Sequence, residues 1–345
     1  MPDGTKQRQP SSAAAIPRPL RVVQWNIERG YQLDAIIATL KRLDADILCL
    51  QEIDICNERS GNTNHAEIIA EQLGLNAGIV VEFQELKSPC RSPSQQGGGL
   101  HGNAIYSRFD MKLRVIDHAH QPFNWPRDGV LLGEPRVGRR CTLVAEVAVP
   151  RGPPVLAYSA HFECFTGIIG SRASAAELPH QIIFGDFNTF AHSWRAFRQS
   201  TPTADEGLPP ELHFSGDILR AAVNPGWWDP FDAAKDITIS NHGGWMTAKA
   251  DWAFVRQLKV VKHWMENRDF TTSDHRCLVL DVEHAHADIL ELHKKSTRRT
   301  ARELQLKRSS KFWTWFSLLA ATSLSLFAYK LARTSIVSSI SSTTF

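Results

Sequence analysis

Short apolar segments alternate with segments of helical periodicity between residues 20 and 285. The apolar segments are rich in β-branched residues and end in polar residues, which is typical of buried strands. Residues 33–43 and 65–74 carry apolar side chains at helical spacing and predict two helices. Many strands with few helices indicate a layered α/β fold with mixed sheets. The predicted strands are residues 20–27, 46–51, 102–108, 141–149, 154–161, 181–188, 250–256, 258–265 and 277–283.

The two ends of the chain differ in composition from this domain. Residues 1–19 contain prolines and no apolar run, which predicts a disordered leader, with a transit peptide as the weaker alternative. Residues 286–311 are basic and helix-prone, and we interpret them as a helical linker. Residues 332–345 are interpreted as a short tail.

An apolar segment near the C-terminus predicts a membrane anchor. Residues 312–329 are eighteen positions without a charge, flanked by Lys311 and Lys330. This length is sufficient to cross a bilayer, and aromatic residues at both ends suit the membrane interfaces. We therefore predict a transmembrane helix over residues 312–331, which leaves residues 20–285 in the cytosol at an unspecified membrane. A helix docked on the domain and an interfacial helix are the alternatives.

The net charge of +3 is distributed unevenly along the chain. Residues 294–311 hold eight basic residues and one acid, and Lys330 and Arg333 follow. These segments carry +7 and +2, so the first 293 residues carry −6. An acidic domain argues against a general nucleic-acid binder and suits a cation held among carboxylates. Six scattered cysteines without a CxxC pair indicate free thiols.

Polar residues that can bind a metal, a phosphate or a proton stand at the ends of the predicted strands. Side chains from separate strands converge at such ends in layered α/β folds, so we expect one site. Taken singly, each residue has a structural alternative, such as a turn residue, a surface carboxylate or a helix N-cap. The residues are Asn26, Glu52, His161, Asp186, Asn188, Asp274 and His275 at strand ends, and Asp251 at the start of a strand.

These residue types suit metal-assisted hydrolysis of a phosphate ester. Mg²⁺ prefers hard oxygen ligands and takes one or two carboxylates, which Glu52, Asp274 and the amide oxygen of Asn26 supply; Mn²⁺ is the alternative ion. Asp186 is the candidate general base. His275 can bind phosphate or carry a proton, but it needs a carboxylate to fix its tautomer, and Asp251 is the natural partner.

Seven segments together resemble the ordered signature of the endonuclease/exonuclease/phosphatase superfamily, the group of deoxyribonuclease I-like proteins. They are QWNIERG, LQEID, GNAIYSR, SAHFE, GDFNT, ADWAFVR and SDHRCL, and the resemblance runs from about Arg21 to Val282. It implies a four-layered α/β sandwich of two packed mixed sheets with outer helices over residues 20–285, here followed by the C-terminal hydrophobic helix.

The resemblance also implies a role for each residue of the site. By it, the chain is a hydrolase that cleaves a phosphodiester or phosphomonoester with activated water. The implied roles are the metal site for Asn26 and Glu52, with Asp274 beside it; positioning of the water for Asp186 and Asn188; an Asp–His pair for Asp251 and His275; phosphate contact for His161; and substrate binding for Asn103.

The substrate and one alternative function remain open at the level of sequence. A nuclease, a sphingomyelin phosphodiesterase and a phosphoinositide phosphatase all fit the signature, so the expected partner is a nucleic acid or a phospholipid head group. No protein partner is predicted. Residues 162–185 form a short connection between the strands that carry His161 and Asp186. Members of the superfamily usually carry a longer helix in this connection. The shorter connection supports the alternative, a membrane-anchored adaptor that keeps the fold but has impaired catalysis.

Overall fold

The computed structural model of the chain describes residues 18–118, 125–130, 132–150, 152–162, 181–188, 229–232, 235–241, 244 and 246–284. The chain divides into the compact units Met1–Ile289 and Leu290–Phe345, and every described residue belongs to the first. The predicted linker, transmembrane helix and tail, and all but the last two residues of the leader, lie outside the described residues. Within the described ranges, no helix is long and apolar enough to span a bilayer.

The described part of the chain contains fourteen strands and three α-helices. The helices are α1 (Leu33–Leu43), α2 (His65–Leu73) and α3 (Trp125–Asp128). The strands are β1 (Leu20–Asn26), β2 (Ile47–Ile55), β3 (Asn76–Glu85), β4 (Leu100–Ser107), β5 (Met111–Asp117), β6 (Arg136–Gly138), β7 (Cys141–Val147), β8 (Val155–His161), β9 (Gln181–Asp186), β10 (Ile239–Asn241), β11 (Met246–Ala248), β12 (Asp251–Arg256), β13 (Leu258–Glu266) and β14 (Cys277–His284).

Twelve of these strands form two mixed sheets. The large sheet has the order β13-β14-β1-β2-β4-β3-β6, and the small sheet has the order β12-β9-β8-β7-β5. Each sheet contains one parallel pair, β1 with β2 and β8 with β9, while the other pairs are antiparallel. The strands β10 and β11 form a separate two-stranded ribbon. The predicted α/β architecture of two packed mixed sheets is confirmed.

The core lies on both faces of the large sheet. Between the two sheets, side chains such as Ile105 from the large sheet and Phe184 from the small sheet pack in one fully buried apolar cluster. On the other face, Ile36 and Leu40 of α1 pack against the large sheet in a second cluster that includes Trp25. Alternate residues of a strand point to opposite faces, so each central strand is apolar on both sides.

The space between the sheets becomes polar towards the ends of β1, β2 and β8. The side chains of Gln24, Gln51 and Ser159 are fully buried there. Buried polar groups need hydrogen-bond partners, and these residues find them in one another across the two sheets. The functional residues follow this layer by one or two positions along each strand.

Leu40→Ala should lower the free energy of unfolding by about 2–5 kcal/mol. The reason is that the Leu40 side chain, on the core-facing side of α1, is only 2% exposed and its truncation leaves a cavity. Chemical denaturation followed by circular dichroism measures the change. Lys41→Ala, at the neighbouring exposed position, is the control and should change stability by about 0.5 kcal/mol or less. Equal effects of the two substitutions would contradict the assignment of this helix face to the core.

Candidate active site

Three of the predicted residues lie side by side on neighbouring strands of the small sheet. Asp186 at the end of β9 is in register with Asp251 on β12 and with His161 on β8. His161 Nε2 lies 3.4 Å from Asp186 Oδ2. All three side chains point between the sheets and are almost fully buried. The sheet register therefore builds one row of ionisable groups.

The large sheet contributes Asn26 and Glu52 to the same place. Asn26 Nδ2 donates to Asp186 Oδ2 at 3.1 Å and to Glu52 Oε1 at 3.2 Å, so one amide connects carboxylates from both sheets. The amide oxygen of Asn26 accepts the backbone N–H of Glu28 at 3.0 Å. The sequence suggested this oxygen as a metal ligand, whereas here the amide nitrogen faces the carboxylates. In this arrangement the Asn26 amide holds the carboxylates of Asp186 and Glu52 in place.

Glu52 owes its position to an irregularity in β2. The pairing of β2 with β4 shifts register between Leu50 and Ile53, and Glu52 has a φ of 59°. Such a left-handed conformation is uncommon for a residue with a side chain and often marks functional sites. The bulge turns Glu52 towards Asn26, and Arg29 Nε lies 3.8 Å from its Oε2 atom.

His275 and Asp251 form the predicted pair. His275 Nδ1 lies 2.7 Å from Asp251 Oδ2. The other ring nitrogen, Nε2, faces the site, 3.7 Å from Asp186 Oδ2 and 3.8 Å from Asp274 Oδ1. Burial by itself would lower the pKa of His275, but the carboxylates of Asp251, Asp186 and Asp274 outweigh it and hold that pKa well above its usual value. The ring is therefore a fixed, positively charged donor.

Asn188 and Asn103 occupy different surroundings from each other. The Asn188 N–H donates to Asp186 Oδ1 at 2.9 Å, and Asn188 Nδ2 donates to the Phe162 carbonyl at 2.7 Å. Asn103 is fully buried on β4, opposite the bulge of β2. Among the described residues, neither polar atom of the Asn103 side chain has a hydrogen-bond partner. Asn188 is thus tied to the base candidate, whereas the Asn103 side chain has no hydrogen bond to the described part of the site.

Glu28 is a member of the site that the sequence reasoning missed. Glu28 Oε2 accepts the backbone N–H of Asp274 at 2.9 Å. Burial, and then the neighbouring carboxylate of Asp274, raises the pKa of Glu28 to about 7. The available signal was its place two residues after Asn26, within the segment QWNIERG. Glu28 joins the strand-end residues of β1 to the loop before β14.

In the part of the chain that the structure describes, the carboxylates of the site outnumber the cations near them. Burial, then the charges of Asp251 and Glu52, raises the pKa of Asp186 to about 6, although His275 opposes the shift. Burial, then the charges of Glu52 and Asp186, raises the pKa of Asp274 to about 6. Raised values mean that the pocket favours additional positive charge.

A divalent cation fits this set of donors. The carboxylates of Glu52, Asp274 and Glu28 are hard oxygen ligands of the kind that Mg²⁺ and Mn²⁺ prefer. Over the described residues, no three His, Cys, Asp or Glu side chains already form a ligand cluster. The chemistry of the donors and the excess of negative charge thus support a divalent cation at this site.

The chain matches the Endonuclease/Exonuclease/phosphatase family over residues 23–275. It belongs to this family. The predicted resemblance is therefore confirmed. Members of the family are phosphoesterases and nucleases that generally use divalent metals, which places this endonuclease/exonuclease/phosphatase protein among the hydrolases. No curated protein matches the chain.

Solved structures are similar to this endonuclease/exonuclease/phosphatase protein at low sequence identity. An endonuclease/exonuclease/phosphatase from Beutenbergia cavernae DSM 12333 is 17% identical, with a TM-score of 0.55 over 78% of this chain and 72% of that chain. D. rerio TDP2 humanized by 14 mutations is 14% identical, with a TM-score of 0.46 over 76% of this chain and 98% of that chain. A variant of the 3' phosphatase NExo from Neisseria, bound to a product DNA hairpin, is 16% identical, with a TM-score of 0.46 over 76% of this chain and 99% of that chain.

In the absence of divalent cations, the free energy of unfolding should fall as the pH rises from about 4 to about 7. The pKa of Asp274 is raised from 3.8 to about 6, so its stabilising contribution is complete below 3.8 and is lost as the pH rises through 6. Asp274→Asn stays neutral and should reduce that loss by about 1–3 kcal/mol. Thermal unfolding in a chelator across this pH range measures the difference.

Added Mg²⁺ should restore the melting temperature of the wild type at neutral pH more than that of Asp274→Asn, because a bound cation stabilises the folded state alone. If the melting temperatures of the wild type and Asp274→Asn depended on pH in the same way in the chelator, the raised pKa of Asp274 would be contradicted.

Proposed function

We propose that this protein is a divalent-metal-dependent phosphoesterase that cleaves a phosphate ester with water activated by Asp186. The observation that supports it best is the convergence on Asp186 Oδ2 of groups from both sheets. Asn26 Nδ2 lies 3.1 Å from that oxygen, His161 Nε2 lies 3.4 Å from it and His275 Nε2 lies 3.7 Å from it. A single carboxylate oxygen thus faces a set of nitrogen groups suited to water and phosphate.

Asp186 has the properties of a general base. A pKa of about 6 leaves its carboxylate ionised at neutral pH but still able to accept a proton. The Asn188 N–H occupies Oδ1, so Oδ2 is the oxygen that faces the site. The proton taken from water would go to this oxygen.

Glu52, Asp274 and Glu28 would hold the cation. Bound there, Mg²⁺ or Mn²⁺ would neutralise the negative charge that develops on the phosphate oxygens. Asn26 keeps Glu52 and Asp186 apart by donating to both.

The two histidines would serve the phosphate in different ways. His275 is held as a cation by Asp251 and presents its Nε2–H as a donor to a phosphate oxygen. The pKa of His161 lies well below its usual value, because burial and then the charges of Arg140 and His101 disfavour its protonated form. His161 is therefore neutral and would contact the phosphate or the leaving group. Asn103, whose buried amide has no hydrogen-bond partner among the described residues, is the least connected candidate for substrate binding.

We further propose that the protein acts at a membrane through residues 312–331, with the hydrolase domain in the cytosol. The eighteen uncharged residues 312–329 and their basic flanks support this placement. An anchored enzyme with an acidic domain suits a phospholipid head group better than a nucleic acid, whose binding usually needs a basic surface. Both substrate classes are therefore compared in the same assay.

Asp186→Ala should lower kcat by about 10³-fold or more, because it removes both the base and the centre of the hydrogen-bond network. The full-length protein is assayed with Mg²⁺ against single-stranded DNA, RNA, sphingomyelin and phosphoinositides. A chelator should abolish turnover, and added Mg²⁺ or Mn²⁺ should restore it.

Asp117→Ala, on the exposed edge strand β5, is the matched control and should keep full activity. Hydrolysis of one substrate class that is lost only in Asp186→Ala supports the proposal and names the substrate. A folded wild type without any hydrolysis would sink it and favour the adaptor function.

Deletion of residues 312–345 should move the protein from the membrane fraction to the soluble fraction, because it removes the predicted anchor. Flotation with liposomes compares the full-length chain with this truncated chain, and substitution of the basic residues in 294–311 tests the electrostatic contribution. Flotation that survives the deletion would contradict the anchor.

A further inference from the structure

A chain of buried hydrogen bonds runs between the two sheets directly beneath the site. Gln24 Nε2 donates to Asp251 Oδ1 and to Gln51 Oε1, both at 2.8 Å. Gln51 Nε2 in turn donates to Ser159 Oγ at 2.9 Å. All four side chains are fully buried. This series of hydrogen bonds therefore starts in the small sheet at Ser159. It passes through the large sheet at Gln51 and Gln24 and returns to the small sheet at Asp251.

Both carboxylate oxygens of Asp251 are occupied, each by a different group. Oδ2 binds His275 Nδ1 at 2.7 Å, and Oδ1 binds Gln24 Nε2. Rotation of the carboxylate about its Cβ–Cγ bond would break one of the two contacts. The Gln24 amide therefore sets the plane of the carboxylate, and that plane sets the direction of the His275 ring.

Other groups that hold Asp251 act on its backbone. Thr238 Oγ1 accepts the Asp251 N–H at 2.9 Å, and Lys249 Nζ donates to the Asp251 carbonyl at 3.2 Å. These contacts place the start of β12 without restricting the side-chain torsions. Of the side chains that the structure describes, Gln24 and His275 are the ones that bond the Asp251 carboxylate.

In the observed orientation of the Gln24 amide, the Nε2 donor is hydrogen-bonded and the Oε1 acceptor, among the described residues, is not. Within the described residues, no group donates to Gln24 Oε1, which is buried. A flipped amide would place this oxygen against Asp251 Oδ1 and Gln51 Oε1, with three acceptors facing one another. A buried amide oxygen without a partner is destabilising, and an apolar side chain of the same volume would avoid that cost. What this position provides is therefore the N–H donor.

We propose that Gln24 is a positioning residue that fixes the Asp251 carboxylate and thereby aims His275 Nε2 at the substrate phosphate. This inference rests on the proposed hydrolase function for its kinetic consequence, while its structural consequence is independent of activity. Gln24 does not touch the reacting atoms. Its loss should affect turnover far more than substrate affinity, because a misdirected His275 weakens contacts made in the transition state.

The test compares Gln24→Met with Ser159→Ala in the full-length protein. Methionine keeps the volume at position 24 and removes the donor to Asp251. Ser159→Ala removes the buried hydrogen bond between Gln51 and Ser159, at the other end of the series, and leaves the Gln24–Asp251 contact intact. Proton NMR in the absence of divalent cations follows the downfield His275 Nδ1–H resonance, which is assigned by its loss in Asp251→Asn.

Gln24→Met should shift this resonance upfield or lose it to exchange with water, whereas Ser159→Ala should keep it. On a substrate that the wild type hydrolyses, Gln24→Met should lower kcat about tenfold or more with KM within about twofold, because it removes an interaction expressed in the transition state. If Gln24→Met and Ser159→Ala have equal melting temperatures but differ in the NMR resonance and in kcat, the effect comes from positioning and not from general destabilisation.

An unchanged resonance and an unchanged kcat in folded Gln24→Met would overturn the proposal. Should that variant fail to fold, Gln51→Met provides the second test, because it leaves Gln24 in place but removes the acceptor that fixes its amide. Gln51→Met should broaden or shift the resonance, and a spectrum like that of Ser159→Ala would also overturn the proposal. A wild type without hydrolase activity but with the expected NMR pattern would sink the proposed function and leave the positioning role standing.

Discussion

Mutual repulsion among buried carboxylates is the constraint on which this site depends. Asp186 and Asp251 are almost fully buried, Asp274 and Glu52 are partly buried, and the four carboxylates stand close together, so their charges repel strongly. His275 offsets part of that repulsion from within the site. Burial and the remaining repulsion raise the pKa of Asp186 and of Asp274 to about 6, and a divalent cation bound among these carboxylates would relieve that repulsion.

Two sheets are needed to maintain such an arrangement. Each sheet contributes acids that its own hydrogen-bond ladder holds rigidly, and amide groups from the large sheet stand between acids of different strands. Asn26 separates Glu52 from Asp186, and Gln24 supports Asp251 from the opposite side. The apolar core below excludes water, and the polar layer above it distributes donors to the acids. Stability and chemistry therefore share the same strands.

Much of the scaffold could be predicted from sequence, because central strands are apolar on both faces. The helix predicted over residues 33–43 has the same bounds as α1. The strand β3 was missed because its pattern is inverted. Ile79 and Val81 face outward and are exposed, whereas Glu82 is buried and paired with Arg140. A strand with apolar residues outside and an ion pair inside does not show the alternation that identifies strands.

The membership of the site was more predictable than its contacts. Strand ends and the family resemblance indicated most of the residues that converge, because sheet topology brings such ends together. The bulge that turns Glu52 into the site depends on pairing with β4, which comes much later in the chain, and no local pattern encodes it. Glu28 was missed for a similar reason, since its partner is the backbone N–H of Asp274 near the other end of the domain.

The pairing of β1 with β14 has a consequence for biosynthesis. Leu20 of the first strand lies opposite Val282 of the last, and Ser273 Oγ donates to the Asn26 carbonyl 247 residues earlier. Translation at about 5–20 residues per second separates these segments by roughly ten to fifty seconds. During that interval β1 lacks one neighbour and exposes an apolar strand edge, which is a template for aggregation. The β1 edge therefore stays without its partner until β14 has been synthesised, and the site cannot be complete before that point.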